Sequence, residues 1–127
     1  IGEAMVLAKK AGLQPEVWWE VMKGGAADSF VLHHDVPSIF AGHYDPSFRV
    51  ELALKDLDLI QELIKENNTR SELTNAAHER FKEAKKRYGD EAGEMTVCKL
   101  IEEDANVNLQ VDGDWIAPWE VKHPNDK

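Results

Sequence analysis

The 127-residue sequence contains a single cysteine, Cys98. The chain therefore cannot form an intramolecular disulfide or a cysteine-rich metal site, as is typical of proteins of the reducing cytoplasm. Basic residues are also few, since 15 Lys and Arg stand against 24 Asp and Glu, for a formal net charge of -9. Because nucleic acid and anionic membranes attract clustered positive charge, we expect neither as a partner.

Long apolar runs are missing as well. No stretch is apolar over the length needed to cross a bilayer, and no basic-then-apolar segment has the form of a secretion signal. The chain begins at Ile1, in an amphipathic pattern that is already under way, which predicts a fragment of a longer polypeptide. We expect one domain over residues 1–104 and a cytoplasmic location.

Apolar residues recur at helical spacing along most of the chain, and no stretch of more than a few residues alternates as a β-strand does. Turn residues divide this pattern, with Gly12, Gly24, Asn67 and Gly89 each following a helical segment. The predicted fold class is all-α, with about six helices at 1–11, 15–23, 29–40, 46–67, 74–88 and 94–104.

The longest predicted helix, about 46–67, starts with Asp45–Pro46 as N-cap and first helical residue. It is apolar on two sides, one containing Leu54 and Leu57 and the other containing Leu52 and Leu59. A helix with two apolar sides is usually packed by neighbours on both. We therefore expect a bundle around this central, buried helix.

Residues 105–127 form a tail of different composition, in which Asn, Asp and two prolines accompany Trp115 and Trp119. Two tryptophans are unusual in a polar tail, because each exposes a large apolar area unless it is covered. Two alternatives are open. The tail either folds back on its own domain or wraps around a partner subunit.

Three segments carry a resemblance to a known family: EAMVLAKKAGLQPEVWWEVMKGGAADSF, then DPSFRVELALKDLDLIQELI, then the looser GEMTVCKLIEE. The second is the most specific, since it places Phe48 seven residues ahead of the pair Lys55–Asp56. On these motifs, residues 1–103 resemble the C-terminal helical domain of the β-hydroxyacid dehydrogenases, which include 3-hydroxyisobutyrate dehydrogenase. The resemblance implies an all-α bundle like the C-terminal domain of 6-phosphogluconate dehydrogenase.

The resemblance also implies the chemistry. Enzymes of this family transfer hydride from a short 3-hydroxy acid to NAD or NADP, which an N-terminal Rossmann domain binds. No G-x-G-x-x-G follows a strand in this sequence, and the family's catalytic lysine is expected upstream of Ile1. We therefore expect an inactive fragment that binds no cofactor tightly. Its implied partners are its own Rossmann domain, a small hydroxy acid and further copies in a homo-oligomer, a dimer or tetramer.

The resemblance implies five site residues in this chain: Lys55 and Phe48 on the cofactor side, and Ser29, Phe30 and Asp56 in the substrate pocket. The residues alone leave structural roles open. Lys55 can form an ordinary exposed ion pair with Glu51, which lies four residues earlier. Phe48 and Phe30 can be core residues, and Asp56 can serve plain structural bonding.

The histidines do not predict a metal site. His33 and His34 are adjacent, so on a helix they point about 100° apart and cannot bind one ion together. Two other functions are open for the whole chain. The same fold serves imine reductases and non-catalytic relatives, and an acidic helical module can serve self-association alone.

Overall fold

Residues 1–116 are described by a computed structural model, and they form seven α-helices and no strand. The helices are α1 (Gly2–Lys10), α2 (Pro15–Lys23), α3 (Phe30–His34), α4 (Val36–Ala41), α5 (Val50–Glu66), α6 (Glu72–Tyr88) and α7 (Thr96–Ala105). The predicted all-α class is confirmed. None of these helices combines the length and hydropathy needed to span a bilayer.

The chain divides into two compact units, which are described separately. The first contains Ile1–Tyr44 and the described residues from Cys98 onward, and the second is Asp45–Val97. The first unit has a core of fully buried side chains: Met5, Leu32, Val36, Ile39, Phe40, Leu100 and Leu109. In this unit α1 lies so close to α7 that a Cβ on Gly2 would be 2.7 Å from Sγ of Cys98. A larger residue at position 2 would therefore require the Cys98 side chain or one of the two helices to shift.

Helix α1 ends as its sequence predicts. Gly12 has a φ of +93°, a left-handed conformation that glycine adopts without strain. The Gly12 N–H donates to the Lys9 carbonyl and the Leu13 N–H to the Ala8 carbonyl, each at 3.0 Å. Together these bonds form a Schellman motif, which satisfies carbonyls that the helix end would otherwise leave unpaired.

The predicted third helix, 29–40, is divided into two short helices. α3 ends before Asp35 and α4 starts after it. Pro37 accounts for the division, because it has no N–H to donate to the His33 carbonyl and its ring would clash with that carbonyl in a continuous helix. The division raises the number of helices from about six to seven in the described residues.

Helix α5 begins at Val50 rather than at Asp45–Pro46 as predicted. Arg49, the residue just ahead of it, is extended and forms an isolated β-bridge with Gly93, in the segment before α7. The Val50 N–H donates to the Ala92 carbonyl at 2.7 Å, and the Glu94 N–H donates to the Phe48 carbonyl at 2.8 Å. These long-range bonds hold the chain out of the helical conformation until Val50.

Burial along α5 also differs from the expectation. Within its unit α5 packs on α6, but its buried residues are Val50 and Leu54. Leu59 and Leu63, in the C-terminal half of the helix, are 52% and 57% exposed. In the described residues the helix is therefore not buried on both sides, because α6 is the helix that packs along it within the unit.

The first part of the tail packs on the first unit. The Val111 N–H donates to the Phe40 carbonyl at 3.1 Å. The Trp115 ring lies edge-on to Phe40 and Trp19, with centroids 4.8 and 5.6 Å apart. Trp115 thus folds back on its own chain, whereas Trp119 lies outside the described residues.

A buried carboxylate fixes the start of this tail to α7. Glu102 is 3% exposed, and its two oxygens accept from the Tyr44 hydroxyl at 2.8 Å and the Leu109 N–H at 2.6 Å. Burial raises the pKa of Glu102, although the two hydrogen bonds oppose the rise. Burial and the Glu102 carboxylate together raise the pKa of Tyr44 well above its usual range.

Candidate functional site

The first group of predicted site residues lies at the N-terminal end of α5. Lys55 and Asp56 are 63% and 56% exposed at their side chains, and Nζ of Lys55 lies 2.9 Å from Oδ1 of Asp56. Glu51 forms its ion pair with Arg49 instead, at 2.9 Å. In place of the Glu51–Lys55 pair that the spacing allowed, Glu51 thus pairs with Arg49 and Lys55 pairs with Asp56. Lys55 presents its ammonium group to solvent from a 17-residue helix.

Phe48 lies just ahead of this helix, and its side chain is 36% exposed. Its backbone is fixed by the pairing with Glu94 described above. The neighbouring Arg49 is engaged by two carboxylates, since Nη1 also lies 2.6 Å from Oε1 of Glu91. The hydrogen bond to Glu91, with the charge of Glu51 in addition, raises the pKa of Arg49. Lys55, with one carboxylate beside it, is therefore the more available cation of the two.

The second group lies at the start of α3, in the first unit. Ser29 is the N-cap of α3, and its Oγ accepts from the Leu32 N–H at 3.2 Å. Phe30 follows it with 74% of its surface exposed, so a core role is wrong for this residue. Its ring stacks on His34, with centroids 4.6 Å apart and an angle of 21° between the planes. An exposed aromatic ring beside a hydroxyl suits contact with a small, partly apolar ligand.

The structure thus brings the predicted residues together in two groups. Lys55, Asp56 and Phe48 belong to the second unit, and Ser29 and Phe30 belong to the first. Sequence reasoning missed the contacts of the two adjacent histidines. His34 stacks on Phe30, and His33 contacts Asp28, the residue before Ser29. The spacing of four residues between Phe30 and His34 on one helix was a signal that could have found one of them.

The family model for the NAD-binding domain of NADP-dependent 3-hydroxyisobutyrate dehydrogenase matches residues 1–101 of this chain. The chain belongs to this family. It is the family of the helical C-terminal domain, so the resemblance read from the three sequence segments is confirmed. The match stops before the tail, as does the resemblance, which covers residues 1–103.

Individual relatives agree with the family. The chain is 32% identical over 100 residues to the L-threonate dehydrogenase of Haemophilus influenzae, a match that covers 78% of this chain and 33% of that protein. It is 30% identical over 79 residues to the Cupriavidus necator enzyme of the same name, covering 62% and 27%. A crystal structure of 3-hydroxyisobutyrate dehydrogenase from Salmonella typhimurium has a TM-score of 0.72 at 26% identity, covering 78% and 35%. The chain spans about a third of the length of these relatives.

The family description names a dinucleotide, and the two residues predicted for the cofactor side are Lys55 on α5 and Phe48 just ahead of it. An ammonium group on a rigid helix can bind a phosphate, a ribose hydroxyl or a carboxylate, and an exposed phenylalanine ring can pack on a flat heterocycle. The sequence has no glycine-rich turn for the pyrophosphate. Lys55 and Phe48 thus carry the kinds of group that can contact a dinucleotide.

Proposed function

We propose that this chain acts as the C-terminal helical domain of an NAD(P)-dependent oxidoreductase that oxidises short 3-hydroxy acids by hydride transfer. The observation that carries the proposal is the family match over residues 1–101, together with relatives that are hydroxyacid dehydrogenases about three times as long. The general base is a lysine supplied from outside this sequence. The 127 residues alone are inactive, because they lack a turn that could hold the pyrophosphate.

On the cofactor side, the ammonium group of Lys55 binds an anionic or hydroxyl group of the dinucleotide. Support comes from its exposure and from the helix that carries it, which fixes the position of its backbone. Asp56, at 2.9 Å, orients the ammonium group and borders the substrate pocket. Phe48 packs beside the nicotinamide ring with the exposed part of its side chain. The cofactor, when bound, accepts the hydride.

On the substrate side, Ser29 and Phe30 contact the hydroxy acid. The Ser29 hydroxyl accepts from the Leu32 N–H in the structure and keeps its own proton to donate to a ligand oxygen. The ring of Phe30 covers the carbon skeleton and excludes water from it. A 3-hydroxy acid matches this pair because it combines a short apolar skeleton with oxygen atoms at both ends.

The proposed partners follow from the same assignment. They are a Rossmann domain, a small hydroxy acid and further copies of the chain in a homo-oligomer, within the cytoplasm. Apolar side chains exposed on α1 and α2 support an assembly, since Leu7, Val17 and Val21 are 71%, 53% and 62% exposed. An assembly would cover exposed apolar side chains of this kind.

The test is a hybrid enzyme in which this chain replaces the region that it matches in the Haemophilus influenzae L-threonate dehydrogenase. Reduction of NAD and NADP is measured with L-threonate, 3-hydroxyisobutyrate and related short hydroxy acids. Lys55→Ala should raise the KM for the dinucleotide about tenfold, because it removes a charge-assisted hydrogen bond. Lys65→Ala, on the same helix and also exposed, is the matched control and should leave KM unchanged.

Equal kinetics in the two variants would reduce Lys55 to a surface ion pair. Oxidation of NADH or NADPH in the presence of imines, with no turnover of any hydroxy acid, would favour the imine reductase alternative. The unmodified relative serves as the positive control for the assay. If it is active and the hybrid is folded but turns over none of the substrates, the proposed function is wrong.

A further inference from the structure

The adjacent histidines His33 and His34 occupy the last turn of α3, and the proposed function gives neither of them a role. Each contacts a residue next to Ser29. Nε2 of His33 lies 2.6 Å from Oδ1 of Asp28, and the His34 ring stacks on Phe30. We propose that His33 and His34 are positioning residues that fix Asp28 and Phe30, the two neighbours of Ser29. They thereby hold in place the substrate-binding edge, which consists of residues 28–30. This inference rests on the proposed function of Ser29 and Phe30.

Helix α3 needs such contacts because it is only five residues long. A single helical turn is not stable by itself in water. Its N-cap is one hydrogen bond, from the Leu32 N–H to the Ser29 hydroxyl at 3.2 Å. The Phe30 side chain, 74% exposed, would rotate among several rotamers without a neighbour. Contacts from the other end of the helix can therefore decide the conformation of this edge.

His34 is itself anchored. Its Nδ1 lies 2.6 Å from Oδ1 of Asp35, whose side chain is 7% exposed, whereas the imidazole is 24% exposed. Because a carboxylate only accepts hydrogen bonds, the imidazole N–H is the donor and the orientation of the ring is defined. The contacts thus run from a buried carboxylate through the imidazole to the exposed ring of Phe30.

His33 acts on the other side of Ser29. Its bond to Asp28 spans five residues and connects the end of α3 to the residue just before its N-cap. The carboxylate and the imidazole are about half exposed, so the bond restrains the loop rather than forming part of a core. With both histidines in place, the residues before and after Ser29 are each connected to the last turn of the helix.

The first experiment uses the 127-residue chain and nuclear magnetic resonance. His34→Ala should shift the ring resonances of Phe30 and speed amide exchange at Leu32 about threefold to tenfold, the range for loss of one aromatic pair. His34→Tyr retains a ring that can stack and should restore most of both values. Val31→Ala, an exposed truncation on the same helix, is the control. Unchanged Phe30 resonances and Leu32 exchange in His34→Ala would overturn the proposal for His34.

The same measurement tests His33. His33→Ala removes the bond to Asp28, and amide exchange at Leu32 should rise about threefold. His33→Gln retains an N–H donor near the position of Nε2 and should restore the slow exchange. If alanine and glutamine have equal effects, the bond to Asp28 does not restrain the edge, and the proposal for His33 is overturned.

The connection to substrate is tested in the hybrid enzyme. His34→Ala should raise the KM for the hydroxy acid about threefold to tenfold, with the KM for the dinucleotide unchanged and kcat within about twofold. If Phe30 moves but the KM for the hydroxy acid does not, the histidine only stabilises α3 and the proposal is overturned. If the hybrid with the unchanged chain has no turnover, the proposed function fails, and the resonance measurements still decide the positioning.

Discussion

Replacing Glu102 with alanine should destabilise the first unit strongly, because this carboxylate is buried and is bonded at both oxygens. The substitution leaves the Leu109 N–H and the Tyr44 hydroxyl without their acceptor in a buried region. An unpaired buried donor costs about 1–3 kcal/mol, and the tyrosine hydroxyl can rotate to find another partner. Since the carboxylate also gains solvation on unfolding, we expect a net loss of about 2–4 kcal/mol.

The substitution Glu102→Gln removes the charge of the side chain but keeps both hydrogen bonds. The amide oxygen still accepts from Leu109, and the amide nitrogen donates to the Tyr44 oxygen. Because burial opposes ionisation of the carboxyl, the neutral amide should lie within about 1 kcal/mol of the unchanged chain near pH 7. A large difference between alanine and glutamine is therefore the signature of the hydrogen bonds.

The effect of pH has a definite sign. Burial raises the folded-state pKa of Glu102 above its unperturbed value of 4.5, so the folded chain holds this proton to a higher pH than the unfolded chain. The contribution of Glu102 to stability is full below about pH 4.5 and is lost as pH rises through the folded pKa. Glutamine does not titrate. Glu102→Gln should therefore gain stability relative to the unchanged chain as pH rises through this window.

The assay is urea unfolding followed by far-ultraviolet circular dichroism at several values between about pH 4 and pH 8. Asp112→Ala, at an exposed position in the described part of the tail, is the control and should change stability by less than about 0.5 kcal/mol. Equal losses for Glu102→Ala and Glu102→Gln would refute the importance of the hydrogen bonds. A pH dependence of opposite sign would refute the raised pKa.

Two further predictions concern the tail and the cysteine. Trp115→Ala should lower the free energy of unfolding in urea by about 2 kcal/mol, because the ring packs on Phe40. Ile116→Ala, at a residue that is 59% exposed, should lower it by less than about 0.5 kcal/mol, and equal losses would contradict the packing of the tail. Cys98 is 4% exposed, and burial raises its pKa to about 12. Iodoacetamide should therefore modify it only after unfolding in urea, and rapid labelling of the folded chain would contradict this burial.

Much of the fold could be predicted from sequence because helices are local. The end of α1 at Gly12 and the ends of α5 and α6 at Asn67 and Gly89 depend on residues within one turn, and the structure has them there. The start of α5 could not be predicted in this way. It is decided by bonds from Phe48 and Val50 to residues more than 40 positions away.

The candidate site divides in the same manner. Its five residues came from a family resemblance carried by short segments, and that family is confirmed while their roles stay predictions. The exposure of Phe30 did not follow from the sequence, since an apolar residue at helical spacing is usually buried.

The sequence by itself determined the all-α class, most helix ends and the family, because these depend on residue spacing and on short motifs. Only the tertiary structure decided which apolar faces are covered, that Trp115 packs on Phe40, and that Glu102 bonds to Tyr44 across 58 residues. The physical reason is that burial and long-range hydrogen bonds depend on how distant segments meet in space. Local sequence patterns limit which long-range contacts are possible but do not specify which of them form.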